Sequence, residues 1–172
     1  MKVIKIIKYL YLSVVLICIV FLGIFLSSTL FSETGYAQVF GYSFFEVQSY
    51  SMYPELEKGD LVVVKKRDND EYKEGMVITY KRPGDSIPTT HKIVNIDGNI
   101  ITTKGINESE NTTEDEPFEV TYVIGEVVKV WEDYDKTREF ITNPIGIIII
   151  VLFGLFLFEG ISFFEKEFSN KE

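Results

Sequence analysis

The sequence contains a single cysteine, Cys18, and a single histidine, His91, among its 172 residues. One cysteine cannot form a disulfide within the chain or a thiolate zinc cluster, and one histidine cannot build a metal centre unless several carboxylates join it. No metal or organic cofactor is implied by the sequence. Basic residues are also outnumbered, because 17 Lys and Arg stand against 26 Asp and Glu. A phosphate-binding surface needs clustered positive charge, so nucleic acid is not an expected partner.

Charge is absent from two long stretches near the ends of the chain. The first, residues 9–32, has 24 residues rich in Leu, Val, Ile and Phe, enough to cross a hydrocarbon core of roughly 30 Å as a helix. A cleaved secretory signal is the alternative, although the apolar core of such a signal has only about 7–15 residues. The second stretch, residues 140–158, has 19 residues. It predicts a second spanning helix, with a buried core helix as the alternative.

The two predicted spans divide the chain and set its topology. Lys2, Lys5 and Lys8 flank the first span, and the positive-inside rule places them in the cytoplasm. Residues 33–139 then lie outside the cell, where they hold 22 acidic and 12 basic residues. We predict a two-pass protein of the cell membrane with both termini cytoplasmic. Its segments are a cytoplasmic N-terminus (1–8), a transmembrane helix (9–32), an extracytoplasmic domain (33–139), a transmembrane helix (140–158) and a cytoplasmic tail (159–172).

The extracytoplasmic domain is predicted to be mainly β, because short β-branched runs alternate with turn residues. A hairpin is expected around Asp97-Gly98, a dipeptide that suits a two-residue turn. A bulge is expected near Gly125. Residues 105–119 are acidic and polar, which predicts a loop, and they contain the sequons Asn107-Glu108-Ser109 and Asn111-Thr112-Thr113. The predicted strands are 61–65, 76–80, 92–96, 99–103, 120–124 and 126–131.

Seven aromatic residues lie between Tyr36 and Tyr53, directly after the first predicted span. Aromatic rings favour the interface between membrane and water, so part of this stretch is expected to rest on the lipid headgroups. Ordinary packing in the protein core explains the same composition equally well.

Four segments of the chain resemble, in order, the conserved boxes of type I signal peptidases. Ser49-Tyr50-Ser51-Met52-Tyr53-Pro54, followed by Gly59-Asp60 and an apolar strand, is similar to the serine box of that family. The box around Thr90-His91-Lys92 has histidine where the usual bacterial enzymes have lysine, as in the branch shared by archaea, the endoplasmic reticulum and some Gram-positive bacteria. Thr103-Lys104-Gly105 and Ile124-Gly125-Glu126-Val127 resemble the later boxes. The likeness covers residues 10–130.

The resemblance implies that Ser51 is the nucleophile and His91 the general base. A serine hydroxyl is a poor nucleophile until a neighbouring group accepts its proton, and an imidazole can do this near neutral pH. Lys92 is the rival base, but consecutive side chains of a strand point to opposite faces, so Lys92 is expected to face away if His91 faces Ser51. The family also implies an oxyanion hole made by the Ser49 hydroxyl and the backbone N–H of Ser51. An ordinary strand serine is the alternative for Ser49.

The sequence departs from the family at the acidic residue. Family members carry Lys-Gly-Asp in the fourth box, whereas this chain has Lys104-Gly105-Ile106. Asp115 is the best match to a second family aspartate that would orient the imidazole. Glu114 is its rival, and a solvated acidic loop is the alternative for both. Asp60 is expected to be structural, organising the loop after the serine box.

The resemblance as a whole implies a signal-peptidase-like antiparallel β domain between two transmembrane helices. Its implied activity is that of a serine endopeptidase that cleaves signal peptides from translocated proteins during secretion. Secretory precursors and the lipid bilayer are then the expected partners, and contact with the translocation machinery is left open. Because the aspartate expected at position 106 is missing, the alternative is a related membrane protein that has lost catalysis and serves as a partner or assembly factor.

Overall fold

The computed structural model describes residues 2–30, 36–110 and 113–169. The chain forms two compact units, residues 1–33 with 137–172, and residues 34–136. Helices α1 (Lys2–Leu30) and α3 (Pro144–Ser169) are long and apolar, and a short helix, α2 (Tyr134–Thr142), precedes α3. The remaining regular structure is mainly β.

Two helices are long and apolar enough to span a membrane. Their most apolar windows, Ile6–Ile24 and Pro144–Phe163, have mean hydropathies of 2.4 and 2.5. Within the unit that they form, the Tyr11 hydroxyl donates to the Gly154 carbonyl at 3.3 Å. Only 6% of the α3 window is buried, which argues against the alternative of a buried core helix. The two helices are compatible with a membrane protein.

The second apolar helix begins later than the predicted span of 140–158. Residues up to Thr142 belong to α2, and α3 starts at Pro144. The Asn143 carboxamide oxygen accepts the Ile145 N–H at 2.9 Å and so caps the new helix. Proline is well suited to the first position of a helix but cannot continue one. The uncharged run therefore contains a helix boundary that a count of charges does not reveal.

Eight strands form one antiparallel sheet in the order β1-β2-β3-β8-β4-β5-β6-β7. The strands are β1 (Gln38–Val39), β2 (Tyr42–Glu46), β3 (Leu61–Lys65), β4 (Val77–Tyr80), β5 (Thr89–Asp97), β6 (Ile100–Lys104), β7 (Phe118–Glu119) and β8 (Val123–Trp131). The prediction of a mainly β domain is confirmed at this level.

Several local predictions need correction. The hairpin turn is centred on Gly98-Asn99 rather than Asp97-Gly98, because Asp97 pairs with Ile100. Gly98 has a φ of 59°, as the first central residue of a type II′ turn requires. Residues 120–122 form a 3-10 turn rather than a strand, and one continuous strand, β8, follows.

The predicted loop at 105–119 contains some regular structure. Phe118 and Glu119 pair with the start of β6, and Phe118 is buried against the ring of Tyr80. A two-residue strand is too short to produce a periodic pattern in the sequence. The second sequon, at 111–113, begins outside the described residues.

Two apolar clusters lie in the β unit. The cluster beneath the serine box consists of Met52, Leu56, Val62, Val64 and Ile124. The second cluster, around β4 to β7, consists of Tyr72, Ile78, Tyr80, Ile93, Ile101, Phe118 and Val120. Of the aromatic stretch, Tyr36 and Phe45 pack against the first cluster, whereas Phe40 is 86% exposed. The stretch is therefore divided between core and surface.

Candidate active site

The loop that carries Ser51 connects β2 to β3 and is anchored by two buried apolar side chains. Met52 is 2% exposed and Leu56 3%, and the Leu56 N–H donates to the Met52 carbonyl at 2.9 Å. Both apolar side chains enter the cluster beneath the serine box, so Ser51 stays at the surface of the unit. The following turn is closed by Asp60, whose carboxylate accepts the N–H of Glu57 and of Asp133. The expectation that Asp60 is structural agrees with these contacts.

His91 lies near the start of β5, and sheet register places it on the same face as Thr103. Thr103 of β6 pairs with Ile93, two residues after His91. Residues i and i+2 of a strand share a face, so the two polar side chains are diagonal neighbours across the β5–β6 pair. Thr103 is fully buried, and the His91 side chain is 13% exposed. The sheet thereby presents an imidazole beside a buried hydroxyl.

Asp115 reaches this face from the segment that follows β6. Glu114 forms an isolated bridge with Lys104, and the Asp115 N–H donates to the Thr103 carbonyl at 2.8 Å. The segment therefore runs antiparallel to the end of β6. Adjacent side chains point in opposite directions there, so Asp115 turns toward His91 while Glu114 is exposed. Of the two acidic candidates, only Asp115 contacts the imidazole.

Ser51, His91 and Asp115 form a continuous hydrogen-bonded chain. The Ser51 Oγ lies 3.1 Å from His91 Nε2, and His91 Nδ1 lies 2.6 Å from Asp115 Oδ2. A carboxylate can only accept, so Nδ1 must carry the proton and donate it to Asp115. In the neutral imidazole, Nε2 is then the acceptor and the Ser51 hydroxyl donates to it. This tautomer is the one that a general base needs in order to take the serine proton.

The surroundings of Asp115 favour its charged form. Burial opposes ionisation, but hydrogen bonds from His91 and from the Thr103 hydroxyl (2.6 Å) outweigh it, and the pKa of the Asp115 carboxyl lies below its usual value. The nearby Tyr80 side chain is buried and close to the negative charge of Asp115, and burial is the main reason that the pKa of the Tyr80 phenol is raised to about 12. The site therefore holds a carboxylate beside the imidazole and a neutral phenol nearby.

Lys92, the rival base, is engaged elsewhere. Its ammonium forms an ion pair with the Glu55 carboxylate, and it has no contact with Ser51. The side chains are 28% and 45% exposed, so the pair lies at the surface. The alternation of side chains along β5 separates the two neighbours as expected.

Ser49 lies beside the proposed nucleophile. Its hydroxyl oxygen is 3.1 Å from the Ser51 Oγ, and the side chain is exposed. Because the Ser51 hydroxyl donates to His91, the Ser49 hydroxyl is the donor of this contact. A donor at this distance is close to where the oxygen of an attacked carbonyl would lie.

A cleft of about 320 Å³ lies beside the hydrogen-bonded residues Ser51 and His91. Residues 45–49 and 87–91 line it, together with Ser51, and Met52 and Leu56 contribute its apolar part. Among the described strands, β6 pairs with β5 only from Lys92 onward. The edge of residues 89–91 that faces away from β4 is therefore open toward the cleft, and an extended peptide is the kind of ligand that adds to such an edge.

Sequence reasoning did not single out three residues that support the site. Thr103 and Tyr80 surround the acid, and Asn107 binds the loop that carries Ser51. Thr103 lies within the box quoted for the family likeness, which was a usable signal, whereas Asn107 appeared only as part of a sequon. Within the described parts of the chain, no group of three or more His, Cys, Asp or Glu side chains could hold a metal ion.

Comparison with models of known protein families gives no match, and no curated protein matches the chain significantly.

Proposed function

We propose that this protein is a membrane-bound serine endopeptidase of the type I signal peptidase kind, acting on the signal peptides of translocated proteins. The observation that carries the proposal is the chain Ser51–His91–Asp115, with contacts of 3.1 and 2.6 Å. The family likeness of the four boxes supports Ser51 and His91, and Asp115 is the best match to a second family aspartate. The cleft and its open strand edge suit an extended segment of polypeptide.

The proposed reaction is acyl transfer in two steps. The Ser51 Oγ attacks the scissile carbonyl carbon while His91 Nε2 takes the hydroxyl proton, and Asp115 stabilises the imidazolium. The C–N bond then breaks, and the imidazolium gives its proton to the leaving amine. A water molecule next attacks the acyl-enzyme, with His91 again taking a proton, and the imidazolium returns that proton to the Ser51 Oγ as the ester C–O bond breaks and the acid product leaves.

The proposed membrane arrangement follows from the two apolar helices. The three lysines of the N-terminus favour an arrangement with both ends of this sequence in the cytoplasm and the β unit outside. A signal peptide is itself held in the bilayer. Enzyme and substrate would then share one surface, which raises their effective concentration.

A precursor-cleavage assay tests the proposal. The full-length protein in detergent should cut a secretory precursor, and Ser51→Ala and His91→Ala should each lower kcat by about 10⁴-fold or more. Ser86→Ala, which changes an exposed serine outside the cleft, is the matched control. Cleavage that survives both site changes would exclude this site. Absence of cleavage by the wild type would favour the catalytically lapsed alternative, although contact between Asp115 and His91 removes the main sequence reason for it.

A further inference from the structure

Asn107 binds two consecutive carbonyl groups of the loop that carries the proposed nucleophile. Its side chain Nδ2 donates to the Tyr50 carbonyl at 2.8 Å, and its backbone N–H donates to the Ser51 carbonyl at 3.0 Å. The Tyr50 carbonyl also accepts the Tyr53 N–H at 3.0 Å, which closes a turn around Ser51. Asn107 is 7% exposed, so these contacts are shielded from water. One residue thus holds the two peptide groups that flank Ser51.

The orientation of the Asn107 carboxamide is fixed by Ser109. The Asn107 Oδ1 accepts the Ser109 N–H at 3.1 Å and the Ser109 hydroxyl at 2.6 Å. A backbone N–H can only donate, so the oxygen of the carboxamide must face Ser109 and its NH₂ must face the Tyr50 carbonyl. The sequon Asn107-Glu108-Ser109 therefore acts in this chain as a structural unit.

The contact with the Tyr50 carbonyl determines where the Ser51 N–H points. The two groups belong to one planar trans peptide, in which C=O and N–H point in opposite directions. Rotation of this peptide would break the Asn107 contact. Among the hydrogen bonds of the described residues, none uses the Ser51 N–H as its donor. That donor is the backbone component of the proposed oxyanion hole.

We propose that Asn107 is a positioning residue that orients the Ser51 N–H toward the oxyanion, a role that rests on the proposed function. It touches no reacting atom. Asn107 should act mainly on the transition state, because the Ser51 N–H is needed most when negative charge develops on the substrate carbonyl oxygen. Loss of the Asn107 carboxamide should therefore lower kcat more than it raises KM.

The test compares Asn107→Asp with Asn95→Asp, the same chemical change at an exposed position of β5. Full-length protein in detergent is used, with active sites counted by titration with a peptide aldehyde that forms a hemiacetal with the serine. For Asn107→Asp we expect kcat to fall about 10²-fold, with a matching loss of affinity for the aldehyde. The KM should change by less than about threefold. Asn95→Asp should leave all three values unchanged.

Ser109→Ala provides a milder variant in case Asn107→Asp does not fold, because it removes the hydroxyl that holds the Asn107 oxygen but leaves the contact from the Ser109 N–H in place. We expect it to lower kcat and aldehyde affinity in the same direction by a smaller factor. A merely structural role would lower the melting temperature and the number of active sites, while each remaining site kept its aldehyde affinity. Unchanged aldehyde affinity per site in both variants would overturn this role and leave the proposed function intact. A wild type that cuts no precursor would overturn both.

Discussion

Replacing Asp115 by Asn removes the negative charge at the end of the hydrogen-bonded chain and keeps nearly the same side-chain size. In the wild type, Asp115 Oδ2 accepts from His91 Nδ1 and from the Thr103 hydroxyl, each at 2.6 Å. With its oxygen at the Oδ2 position the asparagine accepts both bonds without a charge, and with its NH₂ group there it accepts neither. The variant therefore stabilises the imidazolium less and favours the correct tautomer less strongly.

The expected loss follows from these contacts. A hydrogen bond to a charged group contributes about 1.5–3 kcal/mol, and two of them give about 3–6 kcal/mol. At about 1.4 kcal/mol per factor of ten, kcat/KM should fall by about 10²- to 10⁴-fold. The Asp115 side chain is 20% exposed, and screening by water favours the lower half of this range.

The matched control is Glu114→Gln, which removes the same charge from the neighbouring residue. Glu114 is exposed and its side chain has no contact with His91. We expect its kcat/KM to stay within about threefold of the wild type in the precursor-cleavage assay. Equal losses in the two variants, or a larger loss for Glu114→Gln, would refute the assignment of Asp115 as the acid.

The same substitution should change how stability depends on pH. The pKa of Asp115 is lowered from 3.8 in the folded protein, so the ionised carboxylate adds stability above that value. This contribution is lost as pH falls through the folded pKa. At pH 7 the Asp115→Asn variant should therefore melt at a lower temperature than the wild type. The difference should narrow steadily below about pH 4, and a difference that widens in acid would contradict the lowered pKa.

Two further substitutions test whether Thr103 supports the acid and whether Lys92 takes part in catalysis. Thr103→Val removes the buried hydroxyl bonded to Asp115 but keeps the side-chain shape, so kcat/KM should fall by about 10-fold or more, and Thr103→Ser should recover most of it. Equal activity of the valine and serine variants would show that the hydroxyl is dispensable. Lys92→Ala breaks only a surface ion pair with Glu55 and should change kcat less than about threefold; a loss comparable to that of His91→Ala would make Lys92 the base.

The strand pattern was predictable where side chains alternate or β-branched residues cluster. The prediction of 61–65 coincides with β3, and the hairpin of β5 and β6 was placed within one residue of its turn. The hairpin of β1 and β2 was missed because its turn, Phe40-Gly41, has positive φ at a phenylalanine. Such a conformation is unfavourable for a bulky residue, so no turn rule selects it. The start of α3 depended on a cap at Asn143 rather than on hydropathy.

The candidate site was predictable to the extent that it depends on chemistry within short segments. Ser51 and His91 come from recognisable boxes, and strand alternation separated His91 from Lys92. The supporting contacts of Thr103 and Asn107 could not be predicted, because they depend on pairing between strands and on the path of a long loop. Nothing in the local sequence of Asn107 indicates that its carboxamide meets the Tyr50 carbonyl, 57 residues away in the chain.

In the proposed enzyme the acid comes from Asp115, later in the chain than position 106, where the family resemblance leads us to expect an aspartate. Ile106 packs against the apolar cluster beneath the serine box, where a carboxylate would be costly to bury. At Glu114 and Asp115 the chain runs antiparallel to the end of β6, with the Asp115 N–H bonded to the Thr103 carbonyl. The distance from His91 to its carboxylate is thus set by strand pairing, which tolerates insertions between the paired segments. Shortening the segment between Ser109 and Glu114 should therefore preserve cleavage of the secretory precursor as long as the bridge between Lys104 and Glu114 is kept, and loss of cleavage with that bridge intact would contradict this explanation.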